Sequence, residues 1–214
     1  MTRAALATLA VGILSGVWLG PLPALAGGSF AAHMTMHMGV VAVAAPLLAL
    51  AIAGTARDPF RRAQALSVPL LASLIELVVV WGWHAPAMHH AARQEVWALA
   101  LEQGAFLAAG TVLWLAAVGG DPEQRRLRAG SGMAALLFTS MHMTLLGALF
   151  AMANRPLFQH TMAAGEGRAL ADQHLGGAIM LIVGGASYLA GGLWLAARML
   201  RDDRAAVLRE EPVR

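Results

Sequence analysis

Cysteine and lysine are both absent from this 214-residue chain, and only 13% of its residues are charged. The missing thiols exclude a disulfide framework and a Cys-ligated zinc or iron–sulfur centre. Low charge beside 58% hydrophobic residues excludes an ordinary soluble domain. All fifteen basic residues are arginine, and the sequence pI near 10.9 invites a nucleic-acid reading. Their distribution opposes it, because they are concentrated in short segments between long apolar runs.

Those runs fall near 5–22, 33–54, 66–84, 95–118, 132–153 and 174–199. Each approaches the roughly 20 residues that cross a hydrocarbon core about 30 Å thick. The expected fold is therefore all-α: a polytopic transmembrane bundle of five core helices plus an N-terminal signal peptide or sixth helix. Arg3-anchored residues 1–26 end in Ala24-Leu25-Ala26, which suits an A-x-A cleavage site as well as an uncleaved first span. Residues 27–200 form the bundle, and 201–214 form a charged tail.

Arg57, Arg61 and Arg62 share one loop, Arg125, Arg126 and Arg128 another, and five arginines crowd the C-terminus. The alternate loops hold only Arg93, Arg155 and Arg168. This asymmetry is the positive-inside signature. It predicts a C-terminus and Arg-rich loops on the cytoplasmic side, with an outer face opposite.

The histidines sort by the same topology. His33, His37, His84, His89, His90, His160 and His174 fall toward the outer side, and His142 lies nearer mid-membrane. The opening run His33-Met34-Thr35-Met36-His37-Met38 puts His33, Met36 and His37 on one helical face. Imidazole and thioether together, without thiolate, point to a soft metal, copper as Cu(I) above others. Trp81-Gly82-Trp83-His84-Ala85-Pro86 reads as an interfacial tryptophan belt with a proline stop, yet His84, His89 and His90 lie within seven residues. The predicted metal ligands are His33, Met36, His37, His84, His142 and His174. Glu102 and Asp172 are expected to act behind them, orienting ligand histidines. Asp172 alternatively caps the last helix, with Gly176 and Gly177 permitting close packing. Intramembrane Glu76 marks an ion or proton partner of unassigned role.

These blocks resemble the caa3-type cytochrome oxidase assembly factors known as CtaG. The resemblance rests on His33-Met34…His37-Met38 with Ala45-Pro46-Leu47-Leu48, on Trp81-x-Trp83-His84-x-Pro86, and on Leu101-Glu102. It continues through Leu145-Leu146-Gly147-Ala148-Leu149 to Asp172-Gln173-x-Leu175-Gly176-Gly177, so that it spans about residues 31 to 200. The chain departs from the family pattern at Gln103, usually histidine, at Met88-His89, and at His174. The resemblance implies a non-enzymatic membrane factor that helps deliver copper to a haem–copper oxidase subunit. A periplasmic copper chaperone is a further expected partner; nucleic acid and haem are not expected. A metal or proton-coupled transporter and a b-type cytochrome are the alternative readings.

Overall fold

A computed structural model describes residues 1–63, 65–158 and 165–210, with only the backbone described for Gln124 and 202–210. Every regular element among the described residues is helical. They run α1 (Arg3–Leu19), α2 (Leu22–Ala26), α3 (Phe30–Met38), α4 (Ala45–Ile52), α5 (Val68–His84) and α6 (Pro86–Gln94). Then come α7 (Val96–Val118), α8 (Pro122–Ala151), α9 (Glu166–Ile179) and α10 (Gly185–Glu210). A π-helical turn at Gly39–Ala44 joins α3 to α4, and another at Met180–Gly184 joins α9 to α10. Four continuous helices are long and apolar enough to span: Phe30–Ile52, Val96–Val118, Arg125–Ala151 and Glu166–Arg201. The α5–α6 pair, bent by 69°, supplies a fifth. The chain is a multi-pass helical membrane protein, as its hydropathy predicts.

The bend after α5 follows from Pro86, which disfavours helical backbone at the residue before it. Ala85 is accordingly extended (φ −62°, ψ 136°). The proline stop read from the sequence leaves His89 and His90 beyond the end of the helix. Instead α6 packs against α7, burying His89 completely while His90 stays exposed.

The π turn in the first long span has an equally local cause. Proline has no N–H to give the preceding turn, so Pro46 leaves the carbonyls of Val41 and Ala42 short of backbone donors. Side chains of α10 replace them: Ser187 Oγ donates to Ala42 O at 2.7 Å, and the Tyr188 hydroxyl lies 3.3 Å from Val41 O.

The two ends of the bundle differ in character. At one end Arg3 donates to Ala53 O at 3.1 Å, and Arg61 pairs with Asp121 at 2.9 Å. Buried Arg128 donates to the carbonyls of Ala116, Phe60 and Gly119, and Asp58 accepts from the amides of Gly54, Phe60 and Gly120. The histidines of α3, α5 and α6 gather at the opposite end.

Helices α8 and α9 meet backbone to backbone. A Cβ on Gly177 would come within 2.4 Å of Ala151 N and 2.7 Å of Gly147 O. Small residues are what allow such approach between membrane helices. Gly177→Val is expected to lower stability by about 3 kcal/mol or more, the upper range for overpacking. Gly12→Ala, where a Cβ meets nothing within 4 Å, should leave the thermal unfolding midpoint unchanged; equal midpoints for the two variants would refute the contact.

Candidate metal centre

The site starts from the cap of α3. Ser29 Oγ accepts from Ala32 N at 3.1 Å and donates to Asp172 Oδ1 at 2.7 Å. Asp172 Oδ2 takes the Phe30 amide at 2.5 Å and the Ala31 amide at 3.4 Å. A carboxylate there satisfies orphan amides and complements the helix dipole. Asp172 thus caps the helix of His33 and His37 from across the bundle rather than its own helix. Gly176, one turn on, admits the Phe30 ring, which a Cβ would meet at 2.4 Å.

With α3 seated, four imidazoles converge. The ring centroids of His33 and His89 lie 4.6 Å apart, those of His37 and His84 5.1 Å, and those of His33 and His84 5.7 Å. All four side chains are buried. The His84 ring donates through Nδ1 to Val80 O at 2.6 Å, which leaves Nε2 as the lone-pair nitrogen. That Nε2 and both ring nitrogens of His33 and of His37 have no hydrogen-bond partner among the described residues. Buried imidazole nitrogens left bare are costly, and several gathered in one cluster suit a metal ion. Ligand atoms of His33, His89 and Glu102 lie within 4.8 Å of one another.

Glu102 holds the edge of this cluster. Its Oε2 lies 3.7 Å from His33 Nδ1 and is bonded by the Arg93 guanidinium of α6. Gln103 Nε2 donates to the same oxygen at 3.2 Å, while Gln103 Oε1 accepts from Trp18 Nε1 at 3.2 Å. The glutamine that departs from the family pattern therefore links α1 to the carboxylate beside the histidines.

Aromatic rings wall the cluster. Phe106, one turn past Glu102, lies 4.0 Å from the His37 ring, and Phe158 lies 4.2 Å from that of His89. Phe30 stacks on Phe158 at 4.8 Å and meets Phe150 edge-on at 5.0 Å. Gln173 Oε1 accepts from Leu157 N at 2.7 Å, and Gln173 Nε2 reaches the carbonyls of Phe150 and Arg155 at 3.4 Å each. That buried amide fixes the segment carrying the wall. A 560 Å³ cavity lined by His84, Pro86, Arg155 and Phe158 adjoins the cluster.

The sequence-predicted residues divide accordingly. His33, His37 and His84 come together with Glu102 beside them. Met36 is buried in another direction, lining a cavity with Trp18, Pro23 and Gln103. Met34 packs at Gly176 and Met38 at Gly184. His142 lies with Phe138 and Trp81 along a groove on α8, and His174 Nε2 donates to Ala153 O at 2.8 Å. Neither belongs to the cluster. His160 lies outside the described residues. His89, Arg93 and Gln173 join the site without having been predicted as ligands or supports; the three histidines after Trp83 were the available signal for the first.

No curated protein and no solved structure matches the chain. The family described as cytochrome c oxidase caa3 assembly factor (Caa3_CtaG) matches residues 1–202, nearly all of it. The chain belongs to the caa3 cytochrome c oxidase assembly factor family.

Proposed function

We propose that this assembly factor holds a copper ion among His33, His37, His84 and His89 and passes it to a haem–copper oxidase subunit. The observation that carries this is the convergence of four buried imidazole rings, with ring centroids 4.6 to 5.7 Å apart between His33 and His89, His37 and His84, and His33 and His84. Imidazoles suit copper, zinc, iron or nickel, and membership in an oxidase assembly family favours copper among them. The chain provides no thiolate to hold the ion very tightly, which suits a carrier that must release it. Cu(I) is the proposed state. Glu102 would fix the His33 ring and balance charge, as outer carboxylates do for ligand histidines.

The Arg-rich end is proposed to face the cytoplasm of a bacterial inner membrane, with the C-terminus, by the positive-inside rule. The histidine end then faces the periplasm. The cavity beside His84 offers a route for copper from a periplasmic chaperone and onward to the oxidase. No bond-making chemistry is required of the chain.

Metal analysis of protein purified from copper-supplemented cells tests this. About one copper per chain is expected by the imidazole chemistry, falling to background in His33→Ala/His37→Ala. Unchanged copper in that double variant, or a Soret absorption band showing bound haem, would overturn the reading.

A further inference from the structure

Glu76 takes no part in the histidine cluster. It sits on α5, eight residues and therefore about 12 Å of helix from His84 toward the basic end. It is fully buried, and none of the ion pairs among the described residues includes it. A carboxylate in a bundle core without a cation is expensive. Its surroundings are hydroxyls: Tyr188 from α10 bonds Oε1, and Ser73 and Thr139 bond each other at 2.8 Å nearby in the same α5–α8 seam.

Two acceptor oxygens flank the Tyr188 hydroxyl, which carries one proton. The Glu76 carboxyl is one neighbour and Val41 O is the other. Val41 O can only accept, and Pro46 denies it the amide that a continued π turn would supply. A single O–H shared between both oxygens makes two weakened bonds, whereas a second proton from Glu76 makes both full hydrogen bonds.

We infer that Glu76 is a proton-binding site: its carboxylic O–H donates to the Tyr188 oxygen, and the Tyr188 O–H donates to Val41 O. The chain Glu76–Tyr188–Val41 braces the π turn that begins two residues after His37. Removing the proton draws the Tyr188 hydroxyl to the carboxylate and leaves Val41 O bare. Glu76 is thus a positioning residue for His37. This last step rests on the copper reading above, whereas the proton assignment does not.

Infrared difference spectroscopy between wild type and Glu76→Gln, with and without 13C-labelled glutamate, tests the proton. A carbonyl stretch of a protonated carboxylic acid, above the amide band, is expected in wild type and absent from Glu76→Gln. Identical spectra would overturn the assignment. Copper titration tests the brace. Glu76→Gln retains an N–H donor for Tyr188 and should bind within about threefold of wild type. Glu76→Val and Tyr188→Phe should each weaken binding about tenfold, as loss of an orienting partner does. Tyr188→Phe keeps the ring against Trp114 and so guards against simple misfolding of the valine variant. Equal affinity across all three variants would overturn the brace. A wild type that binds no copper but shows the carboxylic band would sink the copper reading and leave the proton site standing.

Discussion

His89→Ala is expected to weaken copper binding by roughly 100-fold or more, whereas His142→Ala, His174→Ala and Met36→Leu should stay within about threefold. Loss of an outer-shell partner alone costs about 10–100-fold, so loss of a ligand sets the upper end as a floor. The ranking follows from position. His89 lies 4.6 Å from His33, centroid to centroid, and its ligand atom lies within 4.8 Å of those of His33 and Glu102. His142 lies instead along the α8 groove. His174 already uses Nε2 to bond Ala153 O, and Met36 lines a separate cavity. Competition titration of purified variants against a chromogenic copper chelator would give the order. A Met36→Leu loss as large as that of His89→Ala would return the thioether to the ligand set and reject an all-imidazole site.

That contrast shows what kind of information the sequence holds. Helical periodicity fixes which residues of α3 share a face, and His33 and His37 needed only that. It does not say which neighbour each face meets. Met36 lies close in angle to both histidines yet turns toward α1 and α7. The apolar runs placed the ends of the four continuous spans to within about eight residues, because length and burial in lipid constrain composition strongly. The fold of α6 depends instead on one dihedral change at Ala85 and on the 69° bend it creates. Nothing in the periodicity of Met88-His89-His90 distinguishes a loop from a helix that turns back into the bundle. Asp172 illustrates the same limit. A capping role was legible from its residue type, but the helix it caps lies about 140 residues earlier in the chain.

Arg93→Met should be the most destabilising single change at the site, and adding Glu102→Gln should restore much of the loss. The Arg93 and Glu102 side chains are 1% and 0% exposed, so their pair is shielded from solvent. Removing one member of such a pair leaves the other charge uncompensated, at a cost of about 3–5 kcal/mol. Among the described residues the carboxylate would then keep the Gln103 hydrogen bond at 3.2 Å and lie 3.7 Å from His33 Nδ1. Glutamine at 102 removes that bare charge while keeping shape and hydrogen bonding. The double variant should therefore unfold at a higher temperature than Arg93→Met alone. The same comparison separates fold from site. Copper should stabilise wild type by mass action on the folded state, and Arg93→Met should recover part of its deficit when copper is added. Calorimetric or dye-based melting of both variants, with and without copper, gives all four values. A double variant no more stable than Arg93→Met would mean that the guanidinium acts through packing of its stem rather than by neutralising Glu102.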